Sequence, residues 1–478
     1  MYSFARITTL ALSPLLGAWA VGPDYEEPST ESMTEAPLEV DGALESEANE
    51  PAHSWWLVFD DEILNGLVAT ALIENRDLRV AAANVDAAQA LLRLERTNRR
   101  PQGQIGAQFQ RRRLSGAAFG QETDFPDTEF YSTNTTAAWE IDFFGRVQRG
   151  VEAISAEAGA LEALRRDAQV LLVAETVGAY VDYRGAELQL AVASRNLWVQ
   201  RDTLRITETR LAEGLGTRLD VVRARAQLRA TEALTPPIQA VMRAAINRLA
   251  TLTGATADLT EHVLVFNAMD LPEAPRRLAV GDASSLIARR ADVRAAERGL
   301  AAATARIGLA KAEYFPRISL VGTIGLSAER AGGLGGAGSL GYSAGPQLSW
   351  SGFDVPRVKA QIAAAGARAE SAYASFEQTV LVALEETQTA LARFGREAVR
   401  LESLREAAAS AGESAELARD RYAEGADDFI AVLDAEARLL EAEAALAASQ
   451  VRATQSYVEV YRALGAGWDL ESTVLAAR

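Results

Sequence analysis

The 478 residues include no cysteine, so neither a disulfide framework nor a thiolate nucleophile is available. Histidine is nearly missing: His53 and His262 stand too far apart for a His-based metal cluster, and each reads as an ordinary surface or interface residue. Positive charge is in deficit, with 48 Lys and Arg against 65 Asp and Glu, and a formal net charge of −17 repels nucleic acid, so that partner is set aside. No Walker loop or G-x-S-x-G elbow stands on a suitable strand–helix unit. Carboxylates lie mostly on helical faces with Arg three or four residues on, the pattern of a solvated face. No enzyme, no cofactor and no metal site is expected.

Long apolar runs are absent too. The run from Ile7 to Leu16 is broken by Pro14 and is too short to span a bilayer. It follows Arg6 and leads to Ala18-Trp19-Ala20, the order of a secretory signal with an A-x-A cleavage site. Residues 1–20 therefore read as a signal peptide, with Ala18 and Ala20 at the cleavage site and Val21 starting the mature chain.

What the sequence does contain is a duplication. "RLAEGLGTRLDVVRARAQL" (210–228) aligns without gaps on "RYAEGADDFIAVLDAEARL" (421–439) at an offset of 211. "DLRVAAANVDAAQALLRLERTNRRP" (77–101) matches "DVRAAERGLAAATARIGLAKAEYFP" (292–316) at 215, and Trp139 falls on Trp350 at 211. In each copy the pattern runs helical, alternating, then helical over a very long stretch. Residues 146–213 carry no proline, and Val147, Val151, Ile154, Ala158 and Leu161 recur at three- and four-residue spacing. An unbroken helix of that span is about 100 Å long, more than a single globular core requires. The second copy predicts the same element over 357–424. Each ends at a glycine, Gly214 or Gly425, where a left-handed cap lets the chain reverse into return helices at 218–254 and 428–464. Pro236-Pro237 should kink or split the first of these. The product is two long hairpins with Ala-rich seams.

Between the helices lie alternating segments, 102–113, 130–142, 317–329 and 340–350. Ile318, Leu320, Ile324 and Leu326 alternate with Ser319, Thr323 and Ser327; Ile105 and Phe109 oppose Gln104, Gln108 and Gln110; Tyr131, Trp139, Tyr342 and Trp350 stand near the ends. Alternation alone also suits a soluble sheet. Joined to an export signal, a duplicated hairpin and helices without a nearby core, it favours membrane strands, apolar toward lipid and polar toward a lumen. Four strands cannot close a barrel, and hydrocarbon tolerates no open edge, so several chains must share one: two give eight strands, three twelve, four sixteen.

These segments resemble the outer-membrane efflux channels of the TolC/OprM/NodT type. "VGPDYEEP" (21–28), "WWLVFDDEILNGLVATALIENRDL" (55–78), "AAWEIDFFGRV" (137–147), "LIARRADVRAAE" (286–297), "RYAEGADDFIAVLDAEARL" (421–439) and "VEVYRALGAGWD" (458–469) follow the family's order over most of the chain. The resemblance implies a mainly α fold with a transmembrane β-barrel: a homotrimer in the outer membrane whose twelve-stranded barrel continues into a twelve-helix periplasmic tunnel. It divides the chain into a first repeat (21–255), an equatorial connector (256–291), a second repeat (292–466) and a tail (467–478). It implies an exit duct for drugs or other small molecules, with a periplasmic membrane-fusion adaptor, an inner-membrane transporter of the RND type and outer-membrane lipid as partners. Many relatives carry a lipobox cysteine where Trp19 stands, so no lipid can be attached here. Ala291 stands at a common proline position, and Val355-Pro356 replaces a glycine pair, which should stiffen the exit from the fourth strand. An exported structural or adhesive coiled-coil protein is the alternative.

The candidate site is the pair of hairpin tips. Glu424, Asp427, Asp428 and Asp434 surround the second turn and Asp220 follows the first; around a symmetric pore they would form acidic rings that attract cations. Asp427 and Asp428 suit helix capping equally well, whereas Asp434 favours the ring. By resemblance, Gly214, Gly216 and Gly425 shape the turns that dock the adaptor, and Tyr422 with Asp220 holds the tips closed. Arg210 and Arg421 suit local pairing with acids as well as contact with a partner. Asp427 and Asp428 follow Gly425 where some relatives carry a basic residue, which argues against an Arg-based latch. The leader makes a direct prediction: the intact mass of the mature protein should match a chain that starts at Val21 without a lipid, and a diacylglyceryl-sized excess contradicts it.

Overall fold

A computed structural model describes residues 20–35, 37–39, 45–47, 49, 51–120, 122, 125–266 and 269–468. Residues 1–19 of the signal peptide, with Ala18 and Trp19, and all but the start of the tail lie outside the described residues. In chain order the elements are α1 (Glu31–Thr34), β1 (Glu45–Glu47), α2 (Glu62–Glu74), α3 (Arg76–Thr97), β2 (Gln102–Arg112), β3 (Thr128–Ile141), α4 (Arg146–Ala212), α5 (Arg218–Glu232), α6 (Thr235–Thr253), α7 (Ala257–Phe266), β4 (Arg277–Ala279), α8 (Ala283–Arg289), α9 (Ala291–Ala312), β5 (Arg317–Ala328), β6 (Leu340–Ser349), α10 (Val355–Ala423) and α11 (Phe429–Ala463). No helix among the described residues is long and apolar enough to cross a membrane.

The long helices form as their pattern requires, α4 with 67 residues and α10 with 69. The double proline splits the first return helix, but the break precedes it: α5 ends at Glu232, and Pro236 and Pro237 sit in the first turn of α6. There the missing N–H groups have no intrahelical acceptor to lose. Val355-Pro356 likewise opens α10 directly, so it starts the helix rather than only stiffening a loop. The connector contains α7, α8 and β4, and β4 pairs in parallel with β1.

The chain divides into two units. The first comprises residues 1–27, 85–161 and 296–376 and contains the four-stranded sheet. Its order is β2-β3-β5-β6, antiparallel throughout. The register places Ile105, Thr135, Ile324 and Tyr342 in one row and Gln104, Thr136, Thr323 and Ser343 in the next. Because side chains alternate between faces, one face collects Ile105, Phe109, Trp139, Ile318, Leu320, Leu340 and Leu348, and the other collects Gln, Ser, Thr and Asn. Among the described residues nothing covers the apolar face: Ile105 is 78% exposed and Tyr342 84%. A soluble sheet buries this face, and a coiled-coil protein has no use for it, so both alternatives fail to account for the sheet.

The N-terminal segment is fastened in the same unit. Val21 N–H donates to the Phe144 carbonyl at 3.1 Å, buried Arg149 bonds Asp24 at 2.7 Å and Glu152 at 2.8 Å, and the Tyr25 hydroxyl reaches Glu297. A Cβ at Gly22 would overlap the backbone of Gly308.

The second unit, residues 28–84, 162–295 and 377–478, holds the main core. Trp55 stacks on Tyr461 at 5.3 Å, and Tyr457 meets Phe394 edge-on at 5.7 Å, above Leu64, Val177, Leu249, Leu286 and Leu391. Two polar side chains clamp helix ends at equivalent places in the two copies: Asn75 Nδ2 donates to the Leu252 carbonyl at 3.0 Å and Arg290 Nη1 to the Ala463 carbonyl at 2.8 Å. Arg290 also bonds Asp292 (2.7 Å) and Glu386 (2.8 Å).

Beside that clamp, burial pushes the Asp167 carboxyl up to about 6; Asp292 and Glu386 act in the same direction and Arg290 opposes them. A folded-state value above the unfolded one means that ionised Asp167 destabilises the fold, and stability falls as pH rises from about 4 through 6. Asp167→Asn keeps the shape without the charge. It should stabilise by about 1–2 kcal/mol at pH 7.5, with allowance for the group's remaining contact with water, and by nothing near pH 4. Thermal melts at the two pH values check this, and equal melting temperatures at pH 7.5 contradict it.

Candidate functional site

Both chain reversals are built alike. The glycine two residues beyond each long helix turns left-handed, Gly214 at φ +76° and Gly425 at φ +77°. Leu215 N–H donates to the Arg210 carbonyl (2.8 Å) and Gly214 N–H to Leu211 (3.1 Å); in the second copy Ala426 donates to Arg421 (2.9 Å) and Gly425 to Tyr422 (3.0 Å). This is the Schellman arrangement, which satisfies the last carbonyls of a helix and favours glycine at the reversed position. Gly216 is small for another reason: a Cβ there would lie 3.3 Å from Arg210 Cβ and the Leu211 nitrogen.

The return helices begin on caps that are also 211 residues apart. Thr217 and Asp220 form a capping box: the Thr217 hydroxyl oxygen accepts from Asp220 N–H at 3.3 Å, and Asp220 Oδ2 accepts from Thr217 N–H at 3.0 Å. Asp428 is the N-cap of α11, its Oδ1 accepting from Phe429 N–H at 3.0 Å. Asp427, for which capping suited equally well, does not cap. It is bonded by Arg421 at 2.5 Å, and the guanidinium holds its carboxyl below the usual carboxylate range. Asp434 receives Arg438 one turn on, at 2.9 Å, and stays exposed on the face of α11 opposite buried Val432, Ala435 and Glu436. Glu424 is exposed at the turn.

Of the two arginines, Arg421 pairs with an acid, while Arg210 lies over the Tyr422 ring at 4.3 Å. Tyr422 in turn packs on Phe429 at 5.4 Å, and Phe429, Val432 and Ala224 form a small buried cluster joining the two hairpins. Within the chain, Tyr422 is held by Arg210 and Phe429, and Asp220 by its own cap.

Two features went unnoticed in the sequence. Leu215, Leu219 and Val222 at the first tip are 71%, 55% and 52% exposed; the signal was a leucine enclosed by Gly214 and Gly216. The second is a polar seam between α4 and α11. The Thr203 hydroxyl donates to buried Glu436 at 3.0 Å, Asn196 to Glu443 at 2.7 Å, and Gln200 is buried beside them on α4. Burial pushes the Glu436 carboxyl up, against the Thr203 hydrogen bond and Arg419. Further along the same pair of helices the contact is tight, since a Cβ at Gly185 would overlap Val451. The seam was visible as polar residues at 196, 200, 203 and 207, helical spacing on an otherwise Ala- and Leu-rich helix. Among the described residues no group of His, Cys, Asp or Glu converges to hold a metal.

The chain matches the family described as "Outer membrane efflux protein" over residues 67–255 and 283–466. It is similar to Outer membrane protein OprJ of Pseudomonas aeruginosa, 31% identical over 466 residues that cover 97% of this chain and 96% of that protein. It is also similar to Nodulation protein T of Rhizobium leguminosarum bv. trifolii, 30% identical over 482 residues and 98% of each. Among solved structures, the outer-membrane channel OprN superposes with a TM-score of 0.87 at 39% identity, over 94% of this chain and 99% of that one.

The tip geometry makes its own prediction. Gly425→Val forces a β-branched residue to positive φ and should destabilise the turn by about 1–2 kcal/mol. Faster amide exchange at Ala426–Phe429, with protection unchanged around Tyr457, is the expected result; unaltered exchange at the turn contradicts it.

Proposed function

The chain belongs to the outer membrane efflux protein family, and from that premise we propose that three copies join their sheets into one twelve-stranded barrel through which solutes leave the cell. It is an outer-membrane efflux channel, a member of a family of channels rather than of enzymes. The observation that carries the assembly is the unfinished sheet. Among the described residues, strands β2 and β6 each leave an edge without a partner, and the face bearing Ile105, Leu320 and Tyr342 is uncovered. Hydrocarbon accepts the apolar face but not the edges, so β2 of one copy must pair with β6 of the next until the ring closes.

The remaining partners and the gate belong to the same reading. The exposed Leu215, Leu219 and Val222, presented by the turn at Gly214 and Gly216, suit docking by a periplasmic adaptor, with Gly425 shaping the second contact. An inner-membrane transporter of the RND type would deliver drugs or other small molecules to the duct, which conducts them passively. Glu424, Asp427 and Asp428 at the second turn, Asp434 further along α11 and Asp220 in the first turn of α5 would form acidic rings when repeated about the axis. The local pairing with Arg438 and Arg421 tempers the field of those rings without removing it, because Asp434 and Arg438 are both exposed and such pairs are weak.

Two measurements test this. Unheated protein should migrate as a trimer that heating dissociates, and planar bilayers should show cation preference with block by multivalent cations from the periplasmic side. Asp434→Asn should weaken the block and leave the trimer intact. Unchanged selectivity and block after Asp427, Asp428 and Asp434 are all neutralised would reduce the acidic cluster to caps and surface pairs.

A further inference from the structure

The polar face of the sheet is almost free of charge. Its rows are Gln102–Ala138–Val321–Gly345, Gln104–Thr136–Thr323–Ser343, Gly106–Asn134–Gly325–Gly341 and Gln108–Ser132–Ser327. Across these four levels, spanning about 20 Å at two residues per level, no acid or base stands on this face. Charge appears only at the ends: Arg112 beyond the last level, Glu140 and Arg317 before the first. Two of these are already matched. Arg146 holds Glu140 with paired hydrogen bonds of 2.7 and 2.6 Å, and Arg317 is bonded to Glu313.

The third level is also nearly bare. Three of its four positions are glycine, a Cβ at Gly106 would lie 2.7 Å from Asn134 Oδ1, and Gly341 has open space around it. Asn134 therefore lies over the gap left by its neighbour. Across these four levels a chain with a net charge of −17 thus places hydroxyls and carboxamides as its polar side-chain groups, with neither acid nor base.

We infer that this lining is blind to charge: Asn134, Thr136, Thr323 and Ser343 give a solute hydrogen-bonding partners of either polarity, so the sheet passes cationic, anionic and neutral solutes alike and discrimination by charge is left to the helical hairpins. The inference rests on the channel reading, in which this face lines the lumen. Magnitude supports it. Glu140 is six residues along β3 from Asn134, about 20 Å, roughly twice the screening length at physiological salt, so even unmatched end charges reach the middle of the lining weakly. Hydroxyls and carboxamides carry both donors and acceptors, so neither sign of charge meets an unpaired partner.

The absence of cysteine makes the test clean. Ser343→Cys and Tyr342→Cys place single thiols on the two faces of β6 in the intact trimer. Each is labelled with a membrane-impermeant methanethiosulfonate bearing either a trimethylammonium or a sulfonate group, with rates normalised to a free small thiol. Ser343→Cys should react with both at rates within about threefold of each other at physiological salt, since the screened field there is small. A preference beyond threefold for either sign overturns the inference while leaving the lumen assignment intact. Labelling of Tyr342→Cys with none at Ser343→Cys overturns the channel reading itself, and the inference with it.

Discussion

A β-strand in hydrocarbon cannot leave its backbone N–H and C=O groups unpaired, and the sheet of this chain leaves two rows of them, on β2 and β6. Much of the rest depends on that constraint. It makes the single chain incomplete, explains why the apolar face has no internal cover, and turns a sheet of four strands into a segment of a larger closed one.

The duplicated sequence is duplicated in its contacts. The Trp139 indole N–H donates to the Arg99 carbonyl at 3.1 Å and that of Trp350 to the Tyr314 carbonyl at 3.0 Å, so in each copy a girdle tryptophan ties a strand end to the helix that precedes the first strand. Asn75 and Arg290 clamp the ends of the return helices, which terminate at left-handed Gly254 and Gly465. The copies differ in chemistry where they keep geometry. An amide serves in one clamp and a guanidinium in the other, and only the guanidinium brings Asp292 and Glu386 with it, which add to the effect of burial on Asp167. The same contrast appears at the tips, where Thr217 caps with help from Asp220 and Asp428 caps alone.

Along the α4–α11 pair the seam changes character. Near Gly185 and Val451 it is tightly packed, with Gln455 bonded to Gly178 and Asp182 beside it, whereas from Asn196 to Thr207 it is held by Thr203–Glu436 and Asn196–Glu443. Apolar packing fixes helices strongly and without direction; buried hydrogen bonds contribute less net stability but specify register, because a slipped pairing strands a buried polar group.

What the sequence determined by itself was whatever depends on local periodicity and backbone chemistry. Helices of 67 and 69 residues follow from three- and four-residue spacing with no proline beyond the first turn, the reversals from Gly214 and Gly425, and the faces of the strands from alternation, since each needs only neighbours in the chain. The tertiary structure decided what depends on residues far apart. No spacing rule could show that Asp427 would take Arg421 while Asp428 capped, that Arg210 would settle on Tyr422 rather than on an acid, or that Glu436 would be buried under Thr203, 233 positions away. Nor could it show that the connector would form α7, α8 and a strand against β1. A carboxylate's partner is set by which helices meet beside it, and that is a property of packing, not of the local pattern.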